Sequence, residues 1–162
     1  MKNELIVIIM TLLIVSIFGC TSSPQQNDSS IYGSTFVNFQ MPNGWELHPM
    51  PGNGTVIWMK GDPRIRVTDL NQQQYNQKYN NILKTDNDTD TIVKGSRNVN
   101  GININFVRTM SNNEGNIDDY YFFSKNNKYY SLEGWAFSGW QNQTSDRKKI
   151  DNAVNNISNT IN

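Results

Sequence analysis

The chain has 162 residues but only one cysteine and one histidine. A lone cysteine, Cys20, cannot form an intramolecular disulfide, and a thiolate cluster for a metal is excluded as well. The lone histidine, His48, precedes Pro49 in an extended segment, and no serine stands in a nucleophile-elbow pattern. We interpret His48 as a loop residue rather than as part of a metal site or a Ser/His pair. The domain must therefore be stabilised by its core alone.

An excess of either charge is also lacking, since 14 Lys and Arg balance 14 Asp and Glu. A protein that binds nucleic acid needs a basic stripe for the phosphates, so nucleic acid is not an expected partner. Asp118 and Asp119 are adjacent in a predicted strand and point to opposite faces, so they cannot flank one glycosidic bond. We predict that the protein is not an enzyme and has no cofactor. A cell-envelope hydrolase is the alternative from another functional class.

The one long apolar run, Leu5–Phe18, follows a positively charged start and ends at Gly19 and Cys20. This order is typical of a signal peptide. The letters IFGC at 17–20 resemble the lipobox of prokaryotic lipoproteins, in which the cysteine carries the lipid and begins the mature chain. An uncleaved membrane helix, the alternative, needs roughly 17–25 apolar residues, more than this run supplies. We predict a signal peptide over 1–19 and a lipid on Cys20.

The lipid would anchor the protein to the cell membrane, facing outside. Residues 20–34 comprise the lipidated cysteine and a polar stretch rich in Ser and Gln, which indicates a flexible tether. Residues 35–162 have the length of a single domain with one core.

Apolar periodicity predicts an α+β fold for this domain. An antiparallel β-sheet of about six to seven strands would be packed by an amphipathic middle helix and a C-terminal helix, as an α/β/α sandwich. The predicted strands are Phe36–Met41, Thr55–Lys60, Arg64–Leu70, Thr91–Val99, Ile102–Met110, Ile117–Lys125 and Lys128–Phe137. The predicted helices are Leu70–Thr85, with Asp69 or Asn71 as the N-cap, and a helix that begins at Ser145.

Local signals add detail to this prediction. Asn100 and Gly101 separate two strands and indicate a tight hairpin, because both turn residues must take positive φ. Arg64 and Arg66 alternate with apolar residues and are expected to point away from the core. Trp45 follows a proline–glycine turn and is expected to plug one end of the sheet.

Three stretches together resemble the PsbP-like superfamily, which includes the Mog1-type proteins. They are FVNFQMPNGW at 36–45, the aromatic hairpin YYFFSKNNKYY at 120–130 and the closing helix from Ile150 to Ile161. The resemblance implies a central antiparallel sheet between helices over 35–162. An asparagine-rich lipoprotein with such a domain is similar to PsbP-related surface proteins of methanogenic archaea. The plant members serve photosystems, and no site residue of theirs can be matched here.

The acidic loop between the middle helix and the next strand contains Asp86, Asp88 and Asp90. Alternate carboxylates imitate the opening of a calcium-binding loop. The EF-hand pattern fails at Thr91, where glycine is needed, and at Arg97, where glutamate is needed. A cation-binding accessory protein is therefore an alternative function, and an ordinary solvated loop is the simpler reading.

An aromatic cluster is the other candidate site. Tyr129, Trp135, Phe137 and Trp140 could form an exposed platform for a protein or an envelope glycan, or they could be core residues beneath the last helix. Asparagine is abundant, so glycosylation triplets arise by chance, but Asn27, Asn53 and Asn87 lie in predicted loops and are candidate sites. The leading prediction is a noncatalytic, membrane-anchored surface module that binds an unidentified partner.

Overall fold

The computed structural model of the protein describes residues 37–50, 52–84, 90–111, 115–137 and 139–162. These residues form a seven-stranded antiparallel sheet and two helices, which confirms the predicted α+β fold. The strands are β1 (Trp45–Leu47), β2 (Thr55–Met59), β3 (Arg64–Leu70), β4 (Asp90–Val99), β5 (Ile102–Ser111), β6 (Ile117–Lys125) and β7 (Lys128–Ala136). The helices are α1 (Gln72–Lys84) and α2 (Gly139–Thr160).

The strand order in the sheet is β1-β2-β3-β7-β6-β5-β4. Two antiparallel meanders, β1 to β3 and β4 to β7, meet where β3 pairs with β7. The helices lie on opposite faces of the sheet. Tyr75 of α1 contacts Phe122, whereas Asp151 of α2 accepts a hydrogen bond from the neighbouring Tyr121, whose side chain leaves the strand on the other face.

Two short turns connect the strands of the second meander as the sequence predicts. Asn100 and Gly101 have φ values of 50° and 85°, and Asn126 and Asn127 have 52° and 60°. These left-handed conformations suit a two-residue hairpin loop, and asparagine adopts them more readily than other residues with a side chain. Local turn chemistry thus sets the register of β4 with β5 and of β6 with β7.

The core lies on the α2 face. Ile150, Val154, Ile157 and Ile161 form the predicted apolar stripe and are fully buried. Burying each such side chain contributes roughly 1.5–3 kcal/mol. A Cβ built at Gly134 of β7 would lie 2.6 Å from Cγ2 of Ile150, so glycine at this position permits the close approach of the helix.

The first predicted strand, Phe36–Met41, is wrong, because residues 37–41 form no strand. Val37 is still buried and Phe39 packs against the core, whereas Met41 is exposed. The Val37 amide, however, donates to the Thr55 hydroxyl at 2.9 Å, and the Asn38 carbonyl accepts from the amide of Asn162 at 3.2 Å. The backbone groups of this segment thus bond to a side chain and to the C-terminal residue, and not to a neighbouring strand. The strand at this edge of the sheet is β1.

Two further expectations are corrected by the packing. Trp45 is buried as expected, but it lies within the edge strand β1 rather than beyond an end of the sheet. Helix α2 begins at Gly139, six residues before the predicted cap at Ser145. The polar residues Gln143 and Asp146 near its start are buried, so tertiary contacts and not local capping decide where the helix begins.

Candidate functional site

Several residues predicted to carry function lie outside the described part of the chain. They are the lipidation site Cys20, the calcium candidates Asp86 and Asp88, and the glycosylation candidates Asn27 and Asn87. Asp90 begins β4, but its side chain is also outside the described part. The lipid anchor and the calcium loop therefore stay predictions.

In the described ranges, no group of three His, Cys, Asp or Glu side chains is arranged to hold a metal ion. Within the same ranges, neither helix has the length and apolar character needed to cross a membrane. Asn53 is exposed in the loop before β2, whereas Thr55 of its triplet is buried and accepts a hydrogen bond from the Val37 amide.

Helix α1 covers part of the face opposite the core. Asn71 caps its start: the Asn71 side chain accepts from the Gln74 amide at 2.9 Å, and the Gln74 side chain accepts from the Asn71 amide at 3.0 Å, a reciprocal capping box. The predicted aromatic positions of the helix pack on the sheet: the Tyr75 and Tyr79 rings lie 5.6 and 5.1 Å from Phe122.

The rest of that face carries a group of partly exposed side chains, which we call the open face. The group comprises Trp58, Arg64, Arg66, Glu133 and Trp135. The antiparallel register places Trp58 beside Arg64 and Arg64 beside Trp135 in one row across three strands. Arg66 and Glu133 are neighbours in the next row. All five side chains keep intermediate exposure, in contrast to the fully buried residues on the other face.

Each arginine of the open face lies over a tryptophan ring. The Arg64 guanidinium carbon is 6.0 Å from the centre of the Trp58 ring, and that of Arg66 is 5.6 Å from the Trp135 ring. The His48 ring stacks on Trp58 with ring centres 4.3 Å apart. Such contacts attract a guanidinium to the ring without neutralising its charge.

Ordinary polar partners for these two arginines are few. Arg66 and Glu133 approach only to 3.9 Å, and Arg64 forms no ion pair within the described ranges. The Nε atoms of both arginines are buried without a hydrogen-bond partner among the described residues. The arginines are therefore positioned mainly by the rings beneath them.

The open face continues into a groove beside α1. The groove has a volume of about 490 Å³. It is lined by the apolar Leu70 and Ile82 and by the polar Gln74, Gln77, Lys78, Asn81, Tyr120 and Glu133. The ammonium group of Lys78 donates to the Ser131 hydroxyl at 3.1 Å. Burial lowers the pKa of Lys78, and the charge of nearby Glu133 opposes this shift. A wall of amides, hydroxyls and charges suits a hydrogen-bonding ligand.

The structure separates the four predicted aromatic residues. Tyr129 lies under α1, with its ring 5.3 Å from that of Tyr75. Trp135 belongs to the open face and not to the interface with the last helix, which packs on the opposite side. Phe137 is 70% exposed, and its amide donates to the Asp62 carboxylate at 2.6 Å. Trp140 lies in α2, with its side chain outside the described part.

Four open-face residues, Trp58, Arg64, Arg66 and Glu133, were not predicted as site residues. The arginines were expected to point outward, and they do. That signal identifies them as surface residues and does not show that Trp58 and Trp135 stand on either side of them. The pairing of β3 with β7, which joins residues far apart in sequence, creates the arrangement.

A second cluster of charges lies between α2 and the sheet. Asp119 is fully buried and accepts hydrogen bonds from Arg147 Nε at 2.8 Å and Nη2 at 3.0 Å. Burial raises the pKa of Asp119, and the paired Arg147 guanidinium opposes this shift. As predicted, Asp118 points to the other face, where its carboxylate accepts from the Tyr120 hydroxyl at 2.9 Å.

Asp151 of α2 extends this cluster. Its carboxylate accepts from Arg97 at 2.6 Å, from Arg108 at 2.8 Å and from the Tyr121 hydroxyl at 3.0 Å. Burial raises the pKa of Tyr121, and the nearby carboxylates add to the shift. Because these groups are largely satisfied by one another, the cluster fastens the helix to the sheet.

Comparison with solved structures finds similar folds. No protein-family model matches the chain, and no curated protein matches it. Among solved structures, it is similar to LpqN, a protein involved in cell envelope biogenesis of Mycobacterium tuberculosis. The TM-score is 0.49 at 11% sequence identity, and the match covers 77% of this chain and 82% of LpqN. The resemblance to the PsbP-like superfamily stays a prediction.

Proposed function

We propose that the protein is a noncatalytic binding module, tethered to the outside of the cell membrane through Cys20, which holds a component of the cell envelope on its open face. The observation that carries the binding role is the pair of arginines that lie over tryptophan rings. Aromatic residues and arginine are enriched among the residues that dominate binding energy at protein interfaces. The open face thus has the composition of a recognition surface, although no ligand is identified by this alone.

The tethered location is supported by the signal-like start, the lipobox-like residues 17–20 and the polar stretch that follows. A lipid on Cys20 should disappear in a Cys20→Ala variant. Metabolic labelling with a radioactive or clickable fatty acid, followed by gel electrophoresis, checks this. Label that persists in the variant would contradict the lipobox.

Binding is tested by cosedimentation of the full chain, in detergent micelles, with isolated envelopes from which lipid has been extracted. We expect the unaltered protein to sediment with the envelopes. A variant with Trp135→Ala and Phe137→Ala should bind at least about tenfold more weakly, as expected for loss of central aromatic contacts. Leu47→Ala, which also truncates an exposed apolar side chain, is the matched control and should bind normally.

Two results would contradict the proposed function. One is the absence of the unaltered protein from the envelope pellet. The other is equal binding by the double variant and the control, provided that circular dichroism shows both to be folded. The second result would place binding elsewhere than on the open face.

A further inference from the structure

We infer that the open face and its groove bind an acidic carbohydrate, a glycan chain whose sugar units carry carboxylates. This inference rests on the proposed function and names the ligand class for the same surface. Two features of the molecule support it: the positive charge at the centre of the open face and the polar, uncharged side chains that line much of the groove.

The charge at the centre of this surface is positive. Arg64 and Arg66 stand on one strand, and Lys78 approaches from α1 to within hydrogen-bond distance of Ser131 in the next strand. Glu133 is the one carboxylate among these groups, and it lies 3.9 Å from Arg66, beyond hydrogen-bond length. An anionic ligand therefore complements this centre.

Acidic side chains mark the limits of the positive centre. Glu46 pairs with Trp58 on one side of the row, and Asp118 pairs with Trp135 on the other. Each acid is separated from Arg64 by a tryptophan. Negative charge on a ligand is therefore favoured along β3, between the two tryptophans, and disfavoured at either end of the row, because like charges placed opposite each other are repelled.

The two arginines favour carboxylates that recur along a chain. They are two residues apart on the same face of a strand, which places their Cα atoms about 7 Å apart. A guanidinium binds a carboxylate through two parallel hydrogen bonds, and a ring that holds the guanidinium flat reduces the entropy lost on binding. Two guanidinium groups side by side suit successive acidic groups of a polymer.

The groove supplies partners for the hydroxyl groups of a sugar. Gln77 lines it with an amide that can both donate and accept, and the side chains of Gln74 and Asn81 lie beside it. Phe137, at the end of β7, exposes an aromatic ring on which the apolar face of a sugar can rest. A lipid surface would require a broad apolar patch, which these polar side chains do not provide.

The test is isothermal titration calorimetry of the full chain in detergent micelles against three polymers. Polygalacturonate carries carboxylates on sugars, dextran is the neutral sugar control, and polyphosphate is the anion without sugar. We expect binding to polygalacturonate that weakens as salt is raised, because exposed charges are screened. We expect no binding to dextran and at least tenfold weaker binding to polyphosphate.

Variants assign the binding to the arginines. Arg64→Gln with Arg66→Gln should weaken polygalacturonate binding at least tenfold, and Lys148→Gln, which removes an exposed positive charge from α2, should leave it unchanged. Arg64→Lys with Arg66→Lys keeps both charges and loses both guanidinium groups, so an affinity between those of the unaltered and glutamine proteins is expected. This conservative pair also serves as the test if the glutamine variant does not fold.

Several outcomes would overturn the inference. These are no binding to polygalacturonate, equal binding to dextran, binding to polyphosphate as tight as to polygalacturonate, or lysine variants that bind as tightly as the unaltered protein. If envelopes still capture the protein in any of these cases, the proposed function survives and the ligand class is wrong. If envelope capture fails as well, both are wrong.

Discussion

Arginines on the two faces of the sheet have different partners. On the α2 face, Arg97, Arg108 and Arg147 reach the carboxylates of Asp119 and Asp151 at hydrogen-bond or ion-pair distance. On the open face, Arg64 and Arg66 lie over tryptophan rings, much as Arg97 and Arg108 lie over Tyr121 and Phe106, but their nearest ion pair is 3.9 Å long. Whether an arginine pairs closely with a carboxylate thus decides whether its charge stabilises the fold or is available to a ligand.

The difference has an energetic basis. A buried charge requires a partner of opposite sign, since loss of one member leaves the other desolvated and unpaired. A guanidinium over a partly exposed ring contributes only about 0.5–1 kcal/mol and stays hydrated at its edge. Substitutions of the paired charges on the α2 face should therefore mainly lower stability. Substitutions of the arginines on the open face should mainly weaken binding.

The largest effect is expected for Asp119→Ala. It removes the fully buried carboxylate that pairs with Arg147 and should lower the free energy of unfolding by about 3–5 kcal/mol. Urea denaturation followed by tryptophan fluorescence measures the change. Asp146→Ala, which breaks an i,i+3 pair with the more exposed Lys149, is the control and should cost less. A loss below about 1 kcal/mol for Asp119→Ala would contradict a structural role for the cluster.

An intermediate effect is expected in alkali. Because burial raises the pKa of Tyr121 in the folded state, that state keeps the phenol proton after the unfolded chain has lost it. The stabilisation is complete below the unfolded pKa near 10 and is lost as pH rises above it, by up to about 1.4 kcal/mol per pH unit. Tyr121→Phe should flatten this decline in urea denaturation between about pH 10 and 11.5.

Tyr120→Phe provides a comparison from the other face. Burial raises the pKa of Tyr120 as well, so its removal should also flatten the alkaline decline. A decline as steep in Tyr121→Phe as in the unaltered protein would show that the Tyr121 hydroxyl is not sequestered by α2.

The smallest effect on stability is expected for Arg64→Ala. It removes a side chain held by the Trp58 ring and should lower the free energy of unfolding by about 1 kcal/mol or less. Arg147→Ala on the opposite face is the comparison. It should lower the free energy of unfolding several times more, because it removes the close partner of the buried Asp119 carboxylate. Equal losses in the two variants, measured by urea denaturation, would remove the distinction between the faces.

Much of the fold could be predicted from local patterns. Alternating residues predicted β3, and Asn100 with Gly101 predicted the hairpin, because strand exposure and turn conformation depend on near neighbours. The apolar stripe from Ile150 to Ile161 predicted the face that α2 buries. Phe36–Met41 was mispredicted because the same alternation also suits an extended segment whose amides bond to side chains.

The candidate site could not be predicted in the same way. Trp135 was singled out as an aromatic residue, but its partner Arg66 is nearly 70 residues away and becomes a neighbour only through the pairing of β3 with β7. Tyr129 shares the face of Trp135, yet α1 lies over Tyr129 alone. Which aromatic residue stays exposed depends on where the helix crosses the sheet.

The sequence by itself determined the α+β class, most of the strands and turns, and the face that β3 presents to the core, because these follow from side-chain period and turn chemistry. It also carries the lipobox-like start, which stays a prediction. Only the tertiary structure decided which arginines reach a carboxylate at hydrogen-bond distance and which do not. That choice depends on strand order and helix placement, which arise from contacts between residues distant in the chain.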